Sequence, residues 1–185
     1  TGALSSKPLA SDETELAKFL VSPSIVQNPN PRAPLAALLR FTIDSPASVR
    51  VFINDGKNAW TVSFPPQEGE ANLPIAGLRA DRLHTFRIEI DDCAGGKTQA
   101  HAEYRPPALP SAPLHFPPVQ KITAQPSRME PGMTLLSVRR QSYGRDVMQT
   151  PNQARFSRAW GMILAIDAEG EVVWFYQSDR RIAGI

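Results

Sequence analysis

The sequence predicts an all-β chain: a sandwich of antiparallel strands, a proline-rich linker, and the opening strands of a second β unit. Three observations carry this. Between residues 22 and 104, short runs of β-branched and aromatic residues alternate with polar ones, with turn residues every eight to twelve positions. Eight prolines then fall between Pro106 and Pro131. Finally, two apolar runs flank Asp167-Ala168-Glu169-Gly170, a hairpin signal whose Gly can take positive φ.

Taken in order, residues 1–21 form an N-terminal segment. Asp12 and Glu15 have the capping-box spacing, and Leu16, Phe19 and Leu20 share one helical face, so a short helix is expected there. Residues 22–105 read as seven short strands. Ser22–Gln27 ends at Asn28-Pro29-Asn30-Pro31. Leu35–Ile43 is followed by Asp44-Ser45-Pro46 as a turn. Val49, Val51 and Ile53 alternate with Arg50, Phe52 and Asn54 before Asp55-Gly56. Ala59–Phe64 stops at Pro65-Pro66, and Ala71–Ile75 is brief. Leu83–Ile90 sets Phe86, Ile88 and Ile90 against Arg87 and Glu89, and Thr98–Tyr104 closes the set. This count and spacing predict an immunoglobulin-like sandwich with Leu39, Phe41, Val51, Ile53, Trp60, Phe86 and Ile88 in its core.

Residues 106–131 favour extended, semi-rigid backbone, with Leu109, Leu114, Phe116 and Val119 available to lie on a domain surface. From residue 132 to 185 the chain starts another β unit. Met133–Val138 is a strand, and residues 139–158 are expected to be a polar loop. That loop carries Arg139, Arg140, Arg145, Arg155 and Arg158, with Asp146 offsetting one charge. Arginine forks fit oxyanions, so an anion-facing loop is the sharper reading beside a solvated one. Ile163–Ile166 and Val172–Tyr176 carry more apolar surface than a free two-stranded ribbon covers, and only eight residues follow Gln177, ending at Gly184-Ile185. A truncated unit is expected, its hairpin folding back on Met133–Val138 and the sandwich, pairing with a second copy, or covered by the rest of a longer polypeptide.

Composition narrows the function. The 185 residues are 42% hydrophobic with a net charge of +2, too little for a nucleic-acid binder. No apolar run is long enough to span a bilayer. A start at Thr1 is what a secreted or periplasmic protein shows after its signal is removed. Cys93 is the single cysteine, and the flanking Asp91-Asp92 carboxylates argue against a reactive thiolate. That acidic loop reads as a turn, and neither a metal nor a cofactor is expected.

Leu78-Arg79-Ala80-Asp81-Arg82-Leu83-His84 occupies the place of the fibronectin type III pattern L-x-P-x-T-x-Y. Leu78 matches, while Ala80, Arg82 and His84 depart from it. In such sandwiches the Tyr bonds the backbone upstream, a task His84 can perform through a ring nitrogen. The order "NPNPRAPLAALLRFTID", linker, "MEPGMTLLSV", "FSRAWGMILAIDAEGEVVWFYQ" resembles the N-terminal part of bacterial arylsulfotransferase-like proteins over about residues 22–177. The resemblance implies a fibronectin III-like domain followed by a six-bladed β-propeller. It also implies sulfate transfer between phenolic compounds through a propeller histidine. His84, His101 and His115 match no such propeller motif, so no catalytic residue is assigned and the chain alone is expected to be inert. Two other readings stay open: an adhesion or interaction module without enzyme activity, and another propeller enzyme such as a quinoprotein dehydrogenase.

Overall fold

In the computed structural model, residues 16–92, 95–122, 125–140 and 148–182 are described. The capping box at Asp12–Glu15, Cys93, Arg145, Asp146 and Gly184-Ile185 lie outside them. Among the described residues eight strands form two sheets, and the fold is all-β with one short α-helix. The first sheet contains β1 (Phe19–Gln27), β2 (Ala37–Asn54), β3 (Ala59–Ile75), β4 (His84–Asp92) and β5 (Lys97–Tyr104). Phe19 and Leu20 therefore open a strand, where the sequence pattern suggested the end of a helix. Their backbone pairs with β2, and the chain before them is tied by Thr98, whose hydroxyl donates to the Ala17 carbonyl at 2.6 Å.

Two expected turns are not chain reversals, so five strands stand where seven were expected. Asp44-Ser45-Pro46 lies within β2, and Pro65-Pro66 lies within β3. The register slips between Ile43↔Gly69, Ala47↔Gln67 and Val49↔Phe64, which marks bulges. A bulge bends the strand and raises its twist without ending it. The prolines of β3 are tolerated because, among the described residues, β3 pairs only with β2, leaving an edge where a missing N–H costs no ladder bond.

The bend divides the long β2–β3 ribbon between two layers. Its first half pairs with β1 through Ile25↔Leu39, and its second half pairs with β4 through Val51↔Ile88. β5 completes the second layer beside β4. The four-residue step from Ile43 to Ala47 preserves the alternation, so Leu39, Phe41, Ile43, Val49, Val51 and Ile53 all enter one core with Phe86, Ile88 and Ile90. Burial of each large side chain contributes about 1.5–3 kcal/mol. Trp60 is half-buried at the margin of that core.

The second sheet runs β6 (Thr134–Arg139), β7 (Gly161–Ile166), β8 (Val172–Ser178), all antiparallel. Its hairpin turn closes through Gly170 N–H to the Asp167 carbonyl and Glu171 N–H to Asp167 Oδ1, with Gly170 at φ +77°. Between β6 and β7 the expected loop contains a helix, α1 (Pro151–Arg158). Thr150 caps it, accepting from Gln153 N–H while the Gln153 side chain returns to Thr150 N–H, and Pro151 sits at the first helical position.

A second core joins the sheet to the linker. Leu35, Phe116, Trp160, Met162, Leu164, Val172 and Phe175 pack together, with Leu109 at the edge. Phe116 meets Phe175 edge-on at 5.1 Å. The linker thus lies along the sheet through Leu109 and Phe116, whereas Leu114 and Val119 stay exposed. Leu35, expected in a sandwich strand, precedes β2 and belongs to this second core instead.

Candidate functional site: a charged joint between the sheets

Three turns converge on one cluster of charge. Asp55 begins the tight turn between β2 and β3, where its Oδ1 accepts from Lys57 and Asn58 N–H at 2.9 and 2.7 Å. Arg79 and Arg82 come from the corner between β3 and β4. Asp167 and Glu171 flank the β7–β8 hairpin turn. Arg79 lies across all three: Nη2 to Asp167 at 2.7 Å, Nε to Glu171 at 3.1 Å, and Nε 3.2 Å from Asp55. Arg82 bridges Asp55 and Glu171 at 2.9 Å each. Lys57 approaches Glu171 at 3.9 Å from solvent and completes the balance of charge.

Burial makes this cluster consequential. Asp55 is 4% exposed and Arg79 is 8% exposed. Burial alone pushes the Asp55 carboxyl up, but the amides of Asn58 and Lys57, with Arg82 and Arg79, outweigh it and hold the pKa at about 2. The hydrogen bond from Arg82 lowers the Glu171 carboxyl against a smaller opposing effect of burial. Arg79 also lies over the Trp60 ring at 5.4 Å, which roofs the site.

His84 sits beneath, fully buried. Its Nδ1–H donates to the Arg82 carbonyl at 2.9 Å and its Nε2 accepts from Arg79 N–H at 3.2 Å. The corner hydrogen bond expected of this histidine is present, and a second bond joins it. Because Arg79 N–H can only donate, the ring is neutral with its proton on Nδ1. Burial lowers its pKa, and the Arg82 carbonyl opposes this. With both nitrogens engaged, the ring orders the loop that carries the two arginines.

The histidines do not converge. His101 is exposed on β5, beside Phe52 and Arg87, and His115 is exposed in the linker. Asp92 accepts from Ala17 and Gly96 N–H, and Asp91 pairs with Lys97 at 3.6 Å, so this acidic stretch organises a loop. Among the described residues no group of three or more metal-binding side chains occurs. The loop arginines also part company: Arg140 is half-buried, while Arg139, Arg155 and Arg158 are exposed. The sequence does not reveal the joint, although two of its three turns, at Asp55-Gly56 and Asp167–Gly170, are marked there. The signal in the sequence is acidic residues at those two turns and arginines at the corner before β4.

The lower half of the joint belongs to a recognisable module. Residues 24–107 match the family described as the Arylsulfotransferase Ig-like domain. This segment is similar to the N-terminal Ig-like domain of arylsulfotransferases. The match includes Asp55, Arg79, Arg82 and His84 and stops in the linker, so Asp167 and Glu171 lie beyond it. No curated protein matches the chain. Among solved structures, one from work described as "Structural insight into host cell surface retention of a 1.5-MDa bacterial ice-binding adhesin" is similar at 13% identity and a TM-score of 0.37. That similarity covers 88% of this chain, which spans 64% of the other. No helix among the described residues is long and apolar enough to cross a membrane.

Proposed function

We propose that this chain is the non-catalytic N-terminal portion of an arylsulfotransferase-type protein. The observation that carries the reading is the family match over residues 24–107. In this reading the three strands β6–β8 open a β-propeller, and the complete protein moves sulfate between phenolic compounds through a histidine on later blades. The Ig-like domain then serves as a base plate that fixes the first blade through Arg79 and Arg82. The outer strands β6 and β8 receive the remaining blades, and the protein works in the periplasm or outside the cell. His84 has no nitrogen to spare for nucleophilic attack, since both are engaged in the corner.

The test compares two polypeptides with an aryl sulfate donor and a phenol acceptor. The 185-residue chain is expected to be silent, and the polypeptide extended through the rest of its reading frame is expected to transfer sulfate. Turnover by the short chain that disappears on changing His84, His101 or His115 overturns the non-catalytic assignment. Silence of the extended polypeptide overturns the sulfotransferase reading and favours an interaction module.

A further inference from the structure

A second polar feature lies away from the joint. A cleft of about 410 Å³ opens between Pro31-Arg32, the linker at His115, Arg140, Ala159-Trp160 and the end of β8 at Gln177–Asp179. Its frame is fixed: Gln177 N–H donates to the Arg32 carbonyl at 2.9 Å, and Arg32 pairs with Asp179 at 3.2 Å. Arg140 stacks over the Trp160 ring at 5.0 Å and the Phe156 ring at 5.1 Å. One of its amino groups donates to the Leu114 carbonyl.

Two donors in this wall have no acceptor. Arg140 Nε and Trp160 Nε1 are both buried and without a hydrogen-bond partner, and Trp160 is only 5% exposed. Buried donors are nearly always satisfied, and leaving one unmade is costly. Both groups can only donate, so whatever satisfies them must bring acceptors. Arg140 adds a permanent positive charge, and Asp179, the acidic residue of the cleft, is already engaged by Arg32. The ligand that complements this set carries concentrated negative charge on oxygen.

We propose that this cleft binds a small oxyanion, carboxylate or phosphate-like, through Arg140 Nε–H and Trp160 Nε1–H. Neither donor is open to water, so a shift of the half-buried Arg140 side chain is part of binding. Arg32 and His115 line the mouth and set the size of the group admitted. The site stands on these residues alone and does not rest on the sulfotransferase reading.

The experiment follows the indole N–H resonance of Trp160 in the ¹⁵N-labelled 185-residue chain, assigned by Trp160→Phe. Inorganic phosphate and sodium acetate are titrated separately against sodium chloride of equal ionic strength. A saturable shift of Trp160 with either anion, while Trp60 and Trp174 stay in place, supports the site. Response to phosphate alone assigns a tetrahedral group, and response to acetate assigns a carboxylate. Arg140→Met keeps the stacked stem and removes the donor, and it should weaken binding at least about tenfold. If that variant loses its dispersed spectrum, Arg140→Lys keeps the charge without the Nε donor and should weaken binding likewise. A shift no larger than that in chloride, or one that persists unchanged in the folded variant, overturns the proposal.

Discussion

Arg79 is the residue on which the joint depends, because it faces three carboxylates while nearly sealed from water. Removing it leaves Asp55 buried and short of a partner, a situation that typically costs about 3–5 kcal/mol. Arg79→Met should therefore lower the denaturation midpoint strongly without changing the far-ultraviolet spectrum; a loss within error of zero would show the cluster to be solvated. Asp55 gives the pH dependence its sign. Its folded pKa of about 2 lies below the ordinary 3.8, so its contribution is present above 3.8 and is lost as pH falls toward 2. That contribution is on the order of 2 kcal/mol, and Asp55→Asn should flatten the acid limb of stability over this window. His84 acts at higher pH with the same sign. Its folded pKa is lowered, so protonation of the unfolded chain begins to draw stability away as pH drops below 6.5. The His84 ring resonances should hold still through the range where an exposed histidine titrates.

Among the elements, the inward faces of β2 and β4 were legible because period-two alternation is a direct consequence of pleating. Val51, Ile53, Phe86 and Ile88 are buried as that pattern requires. The bend was not legible, since Asp44-Ser45-Pro46 has turn chemistry and a bulge uses the same residues. Which of the two forms depends on whether β3 runs alongside, a long-range fact. The helix α1 is a different case: Thr150-Pro151-x-Gln153 is a readable start signal, obscured by the arginines around it. The joint left the least trace, because pairing Arg79 with Asp167 requires knowing how the two sheets meet. Gly161, at the head of β7, packs against the end of the chain. A Cβ there would meet the backbone N of Ile182 at 2.6 Å and the carbonyl O of Arg180 at 2.7 Å. Gly161→Ala should cost about 1–3 kcal/mol through displacement of that segment, seen as lost hydrogen-exchange protection at Arg181, whose N–H donates to Arg158.

At the scale of the molecule, two cores are connected by a covalent linker that itself packs and by a joint of charge. Leu35 precedes a sandwich strand yet completes the core of the second sheet, so the second unit is not finished without the first. A chain ending at Pro131 strips Asp167 and Glu171 from the joint and uncovers Leu35. It should still fold, because the sandwich core is intact, but melt at a lower temperature than the full chain. An equal melting temperature would mean that the joint merely rests on a self-sufficient domain.

The bent ribbon also bears on the order of events in folding. Its two strands are neighbours in sequence, joined at Asp55-Gly56, so their pairing closes a short loop. The bond from Arg79 to Asp167 spans 88 residues and carries a larger closure entropy. Local pairing should come first and the joint last. In stopped-flow measurements, a change in the ribbon turn such as Gly56→Ala should slow folding, whereas Arg79→Met should chiefly speed unfolding. The two sheets then find each other without help from the buried charges, which act afterwards as a brake on their separation.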